Sequence, residues 1–132
     1  MMARAAALFC LPLLTLHAAD SVSVRLVGPE GVPTPPVTVT AITRSEAAWR
    51  ARLTPEQFKI ARTEGTEAAF CGVFHDNHKK GLYACVGCGL PLFRSDAKFE
   101  SGTGWPSFFQ PFAEENIGRQ VDRRYGMTRT EI

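Results

Sequence analysis

Residues 83–89 read YACVGCG and residues 98–110 read KFESGTGWPSFFQ. The first stretch holds one C-x-x-C, Cys85 and Cys88, with Gly89 directly after it. Two thiolates at this spacing can face one zinc ion, because a tight turn aims both sulfurs inward. Gly87 and Gly89 are expected to let the backbone make that turn. A closed structural zinc site takes four ligands, so the pair supplies half of one. A structural disulfide is a rival reading. So is a redox pair of the thioredoxin sort, but that motif opens a helix. Here Leu90-Pro91-Leu92-Phe93 follows, and Pro91 forbids a helix interior. His75 and His78 also have a metal-binding spacing. Asp76, Asn77, Lys79 and Lys80 around them read instead as a solvated turn.

In the second stretch Gly102 and Gly104 flank Thr103, which suggests a tight loop or a close backbone approach. Trp105-Pro106 then holds a large ring in a fixed direction. A rigid aromatic wall suits a site for a small apolar group such as a methyl. The alternative is a tryptophan of the core.

Upstream, Thr54-Pro55-Glu56-Gln57 carries a helix start: Thr54 as N-cap, Pro55 at the first helical position and Gln57 closing a capping box. The helix is expected to end near Thr63 or Gly65. Ser45 caps an earlier turn over Glu46–Trp49. Before that, Val22, Val24 and Leu26 alternate with polar residues, and so do Val37 and Val39. Gly28-Pro29-Glu30-Gly31 is a turn, and Pro33, Pro35 and Pro36 extend the backbone. Residues 20–44 therefore read as an extended linker, which is preferred, or as a small extra hairpin, with the main domain over 45–132.

Residues 1–19 have the layout of a secretory signal peptide: Arg4, a short apolar run over Ala5–Leu16, then Ala18-Ala19 before Asp20. The run is too short for a stable membrane span, which takes about 20 residues. Cleavage near Ala19 removes Cys10 and sends the mature chain to the periplasm or outside the cell.

Composition narrows the function. The 132 residues carry 15 Lys+Arg against 13 Asp+Glu, a net charge of +2, which gives no footprint for nucleic acid. Hydrophobic residues make up 45%, so the chain is not disordered by composition. Eleven glycines and nine prolines favour short strands and turns. Four cysteines are too few for a disulfide scaffold.

Taken in order, LTPEQF at 53–58, GTE at 65–67, CVGCG at 85–89, PLF at 91–93, SD at 95–96, KF at 98–99, SGTGWPSF at 101–108 and GMTRTE at 126–131 resemble the methionine-R-sulfoxide reductases of the B type. The likeness covers about residues 45–132. It implies a mainly β fold of two antiparallel sheets with short N-terminal helices. It implies a substrate, the R epimer of methionine sulfoxide in oxidised proteins. In the family a thiolate or selenolate attacks the sulfoxide sulfur, methionine leaves, and a second thiol resolves the sulfenic acid to a disulfide. A thioredoxin-like reductant then reduces that disulfide. Sulfur chemistry agrees, since the thiolate is the reactive form and sulfenic acids condense with thiols.

The resemblance assigns Trp105 to the substrate methyl and Cys85 and Cys88 to half of a four-cysteine Zn2+ site. With threonine at 103, where some members carry cysteine, Cys71 is the candidate resolving thiol; the alternative is a buried free cysteine of the core. The family pattern continues past RTEI into a second C-x-x-C, a histidine-bearing stretch and the nucleophile. The expectation is therefore a C-terminally incomplete sequence in which none of the cysteines is the nucleophile. A second function class, a non-catalytic zinc-knuckle interaction module, fits the same motifs.

Overall fold

The computed structural model describes residues 20–123, 126 and 128–131. The leader reading of residues 1–19, with Ala18, Ala19 and Cys10, lies outside them. Met127 of the last motif and Ile132 after it also lie outside.

Two short helices come from local capping chemistry. Helix α1 (Glu46–Arg52) starts where Ser45 accepts a hydrogen bond from the Ala48 amide at 3.2 Å. Helix α2 (Pro55–Arg62) starts on the full capping box: the Gln57 amide donates to Thr54 Oγ1, and Gln57 Oε1 accepts from the Thr54 amide. Such caps contribute about 1 kcal/mol each. Between them the helices bury Trp49, Leu53 and Phe58 as one cluster. Burial of such side chains is worth about 1.5–3 kcal/mol each. The guanidinium of Arg62 lies 4.9 Å from the Trp49 ring, and that of Arg44 lies 5.6 Å away on the same ring.

The remainder is antiparallel throughout, in four two-stranded ladders. Strand β1 (Ser21–Val24) pairs with β2 (Val37–Thr40), and β3 (Leu82–Ala84) with β4 (Pro91–Arg94). Strand β5 (Lys98–Phe99) pairs with β6 (Ser107–Phe108), and β7 (Gln120–Asp122) with β8 (Arg129–Glu131). The mainly β reading with short N-terminal helices holds in this pattern. An aromatic chain ties two ladders together. The Phe93 and Phe108 rings stack at 4.4 Å, and Tyr83 meets Phe108 edge-on at 4.9 Å.

Residues 21–40 form a paired hairpin. Its register sets Val22 opposite Val39 and Val24 opposite Val37, so four valines share one face. Ser21, Ser23, Thr38 and Thr40 share the other. Asn116, buried in a single turn over Glu114–Asn116, fastens this hairpin. Its Oδ1 accepts from the Arg25 amide at 2.8 Å, and its Nδ2 donates to the Arg25 and Pro91 carbonyls. Arg25 adds an ion pair to Glu115 at 2.8 Å.

Candidate functional site

The residues singled out from sequence fall in two places. Trp105 and Cys71 belong to one, Cys85 and Cys88 to the other.

Trp105 lies in the loop between β5 and β6. The loop turns on Gly102 (φ +73°) and Gly104 (φ +89°), conformations that glycine adopts without a Cβ penalty. Ser101 Oγ bridges Thr103 Oγ1 at 2.8 Å and Ser107 Oγ at 2.7 Å, which closes the loop across its base. Gly104 is buried, and a Cβ there would stand 2.8 Å from Ala69 Cβ and 2.9 Å from the Phe70 ring. The close backbone approach expected at this glycine is thus made against the segment before Cys71. The Phe70 amide donates to the Gly104 carbonyl at 2.8 Å, and Trp105 Nε1 donates to the Glu67 carbonyl at 3.0 Å. Trp105 is 41% exposed, so it is not a core tryptophan. Trp49 fills that role. The Trp105 indole is held at its nitrogen and open on its surface, as a docking wall for a small apolar group requires.

Cys71 follows Phe70 directly and is an exposed free thiol. The alternative of a buried core cysteine is therefore overturned: the segment at 70–74 turns over the surface, with Phe70, Val73 and Phe74 exposed beside it. Phe70 itself has φ +65°, a rare conformation for a bulky residue. His75 packs its ring edge-on against Phe70 at 5.1 Å. His78 Nε2 lies 2.8 Å from Asp76 Oδ1, both exposed. Neither histidine is grouped with the cysteine pair.

Cys85 and Cys88 occupy the tip of the β3–β4 hairpin. The Cys85 amide donates to the Leu90 carbonyl and the Gly89 amide to the Cys85 carbonyl, each at 2.8 Å. Gly89 (φ +78°) makes the turn. Gly87 has a different role from the one expected. A Cβ there would meet the Trp49 ring at 3.3 Å, so glycine lets the tip rest on the helix pair. Arg52 Nε donates to the Gly87 carbonyl at 3.1 Å from the same side. The two thiols are not bridged. Burial pushes the Cys88 thiol up from its ordinary range, and the Cys85 sulfur pushes the same way. The Leu90 amide and the Arg52 guanidinium oppose this.

Two adjacent sulfurs on one tight turn fit the donor set of half a tetrahedral thiolate site. Among the described residues no group of three His, Cys, Asp or Glu completes such a site. The tip also borders an apolar groove of about 510 Å³, lined by Val22, Val39, Trp49 and Leu53 among others. No helix among the described residues is long and apolar enough to cross a membrane.

Sequence reasoning missed Trp49, the Glu67 carbonyl, Lys98 and Asn116. Only Trp49 left a signal, as an apolar residue of the helix that Ser45 caps, four residues before the apolar Leu53 at its end.

Residues 53–132 match the SelR domain. A peptide methionine sulfoxide reductase MsrB of Leptospira interrogans is 50% identical over 91 residues, 69% of this chain and 70% of that protein. The protein of the same name from Thiobacillus denitrificans is 50% identical over 88 residues, 67% of each chain. The one from Synechococcus sp. RCC307 is 53% identical over 88 residues, 67% of this chain and 65% of its own. The chain belongs to the SelR domain family, with relatives of the MsrB type. It spans about two thirds of the length of these relatives.

Proposed function

We propose that the protein reduces the R epimer of methionine sulfoxide in oxidised proteins, and that residues 45–132 carry its substrate wall and its recycling thiol. One observation carries this reading. Trp105 is exposed, is tethered through Nε1 to the Glu67 carbonyl, and shares that tether with the segment that presents the free thiol of Cys71. In this reading the substrate methyl lies on the Trp105 face. A thiolate of the protein attacks the sulfoxide sulfur; the sulfoxide oxygen passes to that thiol as a sulfenic acid, and methionine departs reduced. Cys71 then forms an S–S bond with the sulfenic sulfur, its proton leaving with the hydroxyl as water. A thioredoxin-like dithiol takes the disulfide back to two thiols and is itself oxidised. The attacking sulfur is none of Cys71, Cys85 and Cys88.

Cys85 and Cys88 are proposed as two of the four ligands of a structural zinc ion. Zinc there fixes the hairpin tip and takes no part in the sulfur chemistry. The non-catalytic alternative, a zinc-knuckle interaction module, needs the same two cysteines but neither Trp105 nor Cys71.

The test is a peptide carrying the R sulfoxide, assayed with a thioredoxin system, on the protein expressed from its whole reading frame. Trp105→Ala is expected to lower kcat/KM by about 10²-fold, the scale set by misplacing a bound substrate. Cys71→Ser is expected to stop thioredoxin-driven turnover while leaving one methionine formed per protein. No reduction by the unaltered protein would favour the interaction module.

Export is the second part of the proposal. The N-terminal residue of the mature protein is expected near Asp20, read by N-terminal sequencing of an extracellular or periplasmic fraction. An intact Met1 on the active protein would overturn it.

A further inference from the structure

Lys98 reverses the usual polarity of a strand. Strand β5 has two residues, and side chains alternate across a ladder. The apolar one, Phe99, is 47% exposed, whereas the Lys98 side chain is only 6% exposed. An ammonium group withdrawn from water is costly unless hydrogen bonds replace its hydration. Lys98 Nζ donates to the His75 carbonyl at 2.8 Å and lies 3.4 Å from Glu100 Oε1. A methionine could fill the same space; only a donor can hold that carbonyl.

The His75 carbonyl belongs to the irregular segment 67–81 that carries Cys71. One fastening on each side of Cys71 comes from the same hairpin, and Tyr83 of β3 adds a further one through Asn77 and Phe74. Before the thiol, Gly104 and Trp105 hold Phe70 and Glu67. After it, Lys98 holds His75. Between the two, the Cys71 amide donates to the Ala68 carbonyl at 3.2 Å and the His75 amide to the Gly72 carbonyl at 3.0 Å. The left-handed backbone at Phe70 needs such outside support, since strained residues persist only where the surroundings over-determine them.

We propose that Lys98 is a positioning residue: through the His75 carbonyl it holds the Cys71 thiol in register with the Trp105 loop. The inference rests on the reading of Cys71 as the recycling thiol and adds the group that fixes its place.

Hydrogen exchange of the full chain, read by peptide mass spectrometry, tests it with Lys98→Met and Lys98→Arg. In Lys98→Met the amides of residues 70–78 are expected to exchange about tenfold faster, with α1 and α2 keeping their protection. The alkylation rate of Cys71 by iodoacetamide is expected to change with them. Lys98→Arg, which keeps a donor, is expected to restore both. Unchanged exchange at 70–78 in a folded Lys98→Met protein overturns the proposal, and so does an arginine variant that behaves like the methionine one. Where Lys98→Met does not fold, the unaltered protein decides. A slowly exchanging Lys98 ammonium signal coupled to the His75 carbonyl in NMR supports the tie, and its absence overturns it. None of these measurements needs turnover, so they stand apart from the Cys71→Ser assay, which tests the recycling role itself.

Discussion

Replacing Cys85 with serine is expected to strip zinc from the protein and to lower its stability on the order of 5 kcal/mol, because zinc binding free energy is folding free energy at such sites. The effect should not stay at the hairpin tip. Gly87 rests 3.3 Å from the Trp49 ring, and Arg52 holds the Gly87 carbonyl. The knuckle is therefore a lid on the cluster of Trp49, Leu53 and Phe58. Loosening it should change the near-ultraviolet dichroism of Trp49 as well as the zinc content. Cys71→Ser is the control, since Cys71 lies in an exposed segment apart from the hairpin tip. Metal analysis together with urea unfolding reads both effects. Zinc content unchanged in Cys85→Ser would refute the ligand assignment.

Gly104→Ala is expected to cost about 3 kcal/mol, combining a left-handed backbone with overpacking. The added methyl would stand 2.8 Å from Ala69 and 2.9 Å from Phe70. Relief requires moving the 67–71 segment, which breaks the Phe70–Gly104 hydrogen bond and draws Glu67 away from Trp105. Gly102→Ala separates the two causes. Its φ is +73°, but nothing lies within 4 Å of a Cβ there, so it should cost only about 1 kcal/mol. Denaturant midpoints of the two variants check the difference. Equal costs would mean that the tight approach at Gly104 is not what holds the segment.

Both helices were legible because their signals are local: Thr54 and Gln57 reach each other within one turn, and Ser45 caps its own helix. The Trp105 loop was legible because closely spaced glycines have few other uses. The rest depends on partners far along the chain. Nothing near Arg25 announces Asn116, 91 residues later, so a hairpin and a linker read alike. Gly87 looked like a turn residue, and only the position of Trp49 shows that it leaves room for a ring. Nothing in Lys98-Phe99 announces that the lysine is the buried member of the pair, since its partner, the His75 carbonyl, lies 23 residues away.

The fastening of β1 by Asn116 also sets an order of events. The segment at 21–40 leaves the ribosome early, but the side chain that holds it down emerges much later. Long-range closures of this kind are slow, because chain entropy is lost before any contact offsets it. Until then the hairpin lacks the side chain that ties Arg25 to Pro91. A nascent chain of this sequence therefore carries an unfastened hairpin for most of its synthesis, and a translational pause before Glu114 would lengthen that interval. Arrest of synthesis between β2 and Asn116 should leave intermediates captured by hydrophobic-binding chaperones, and release past residue 116 should free them.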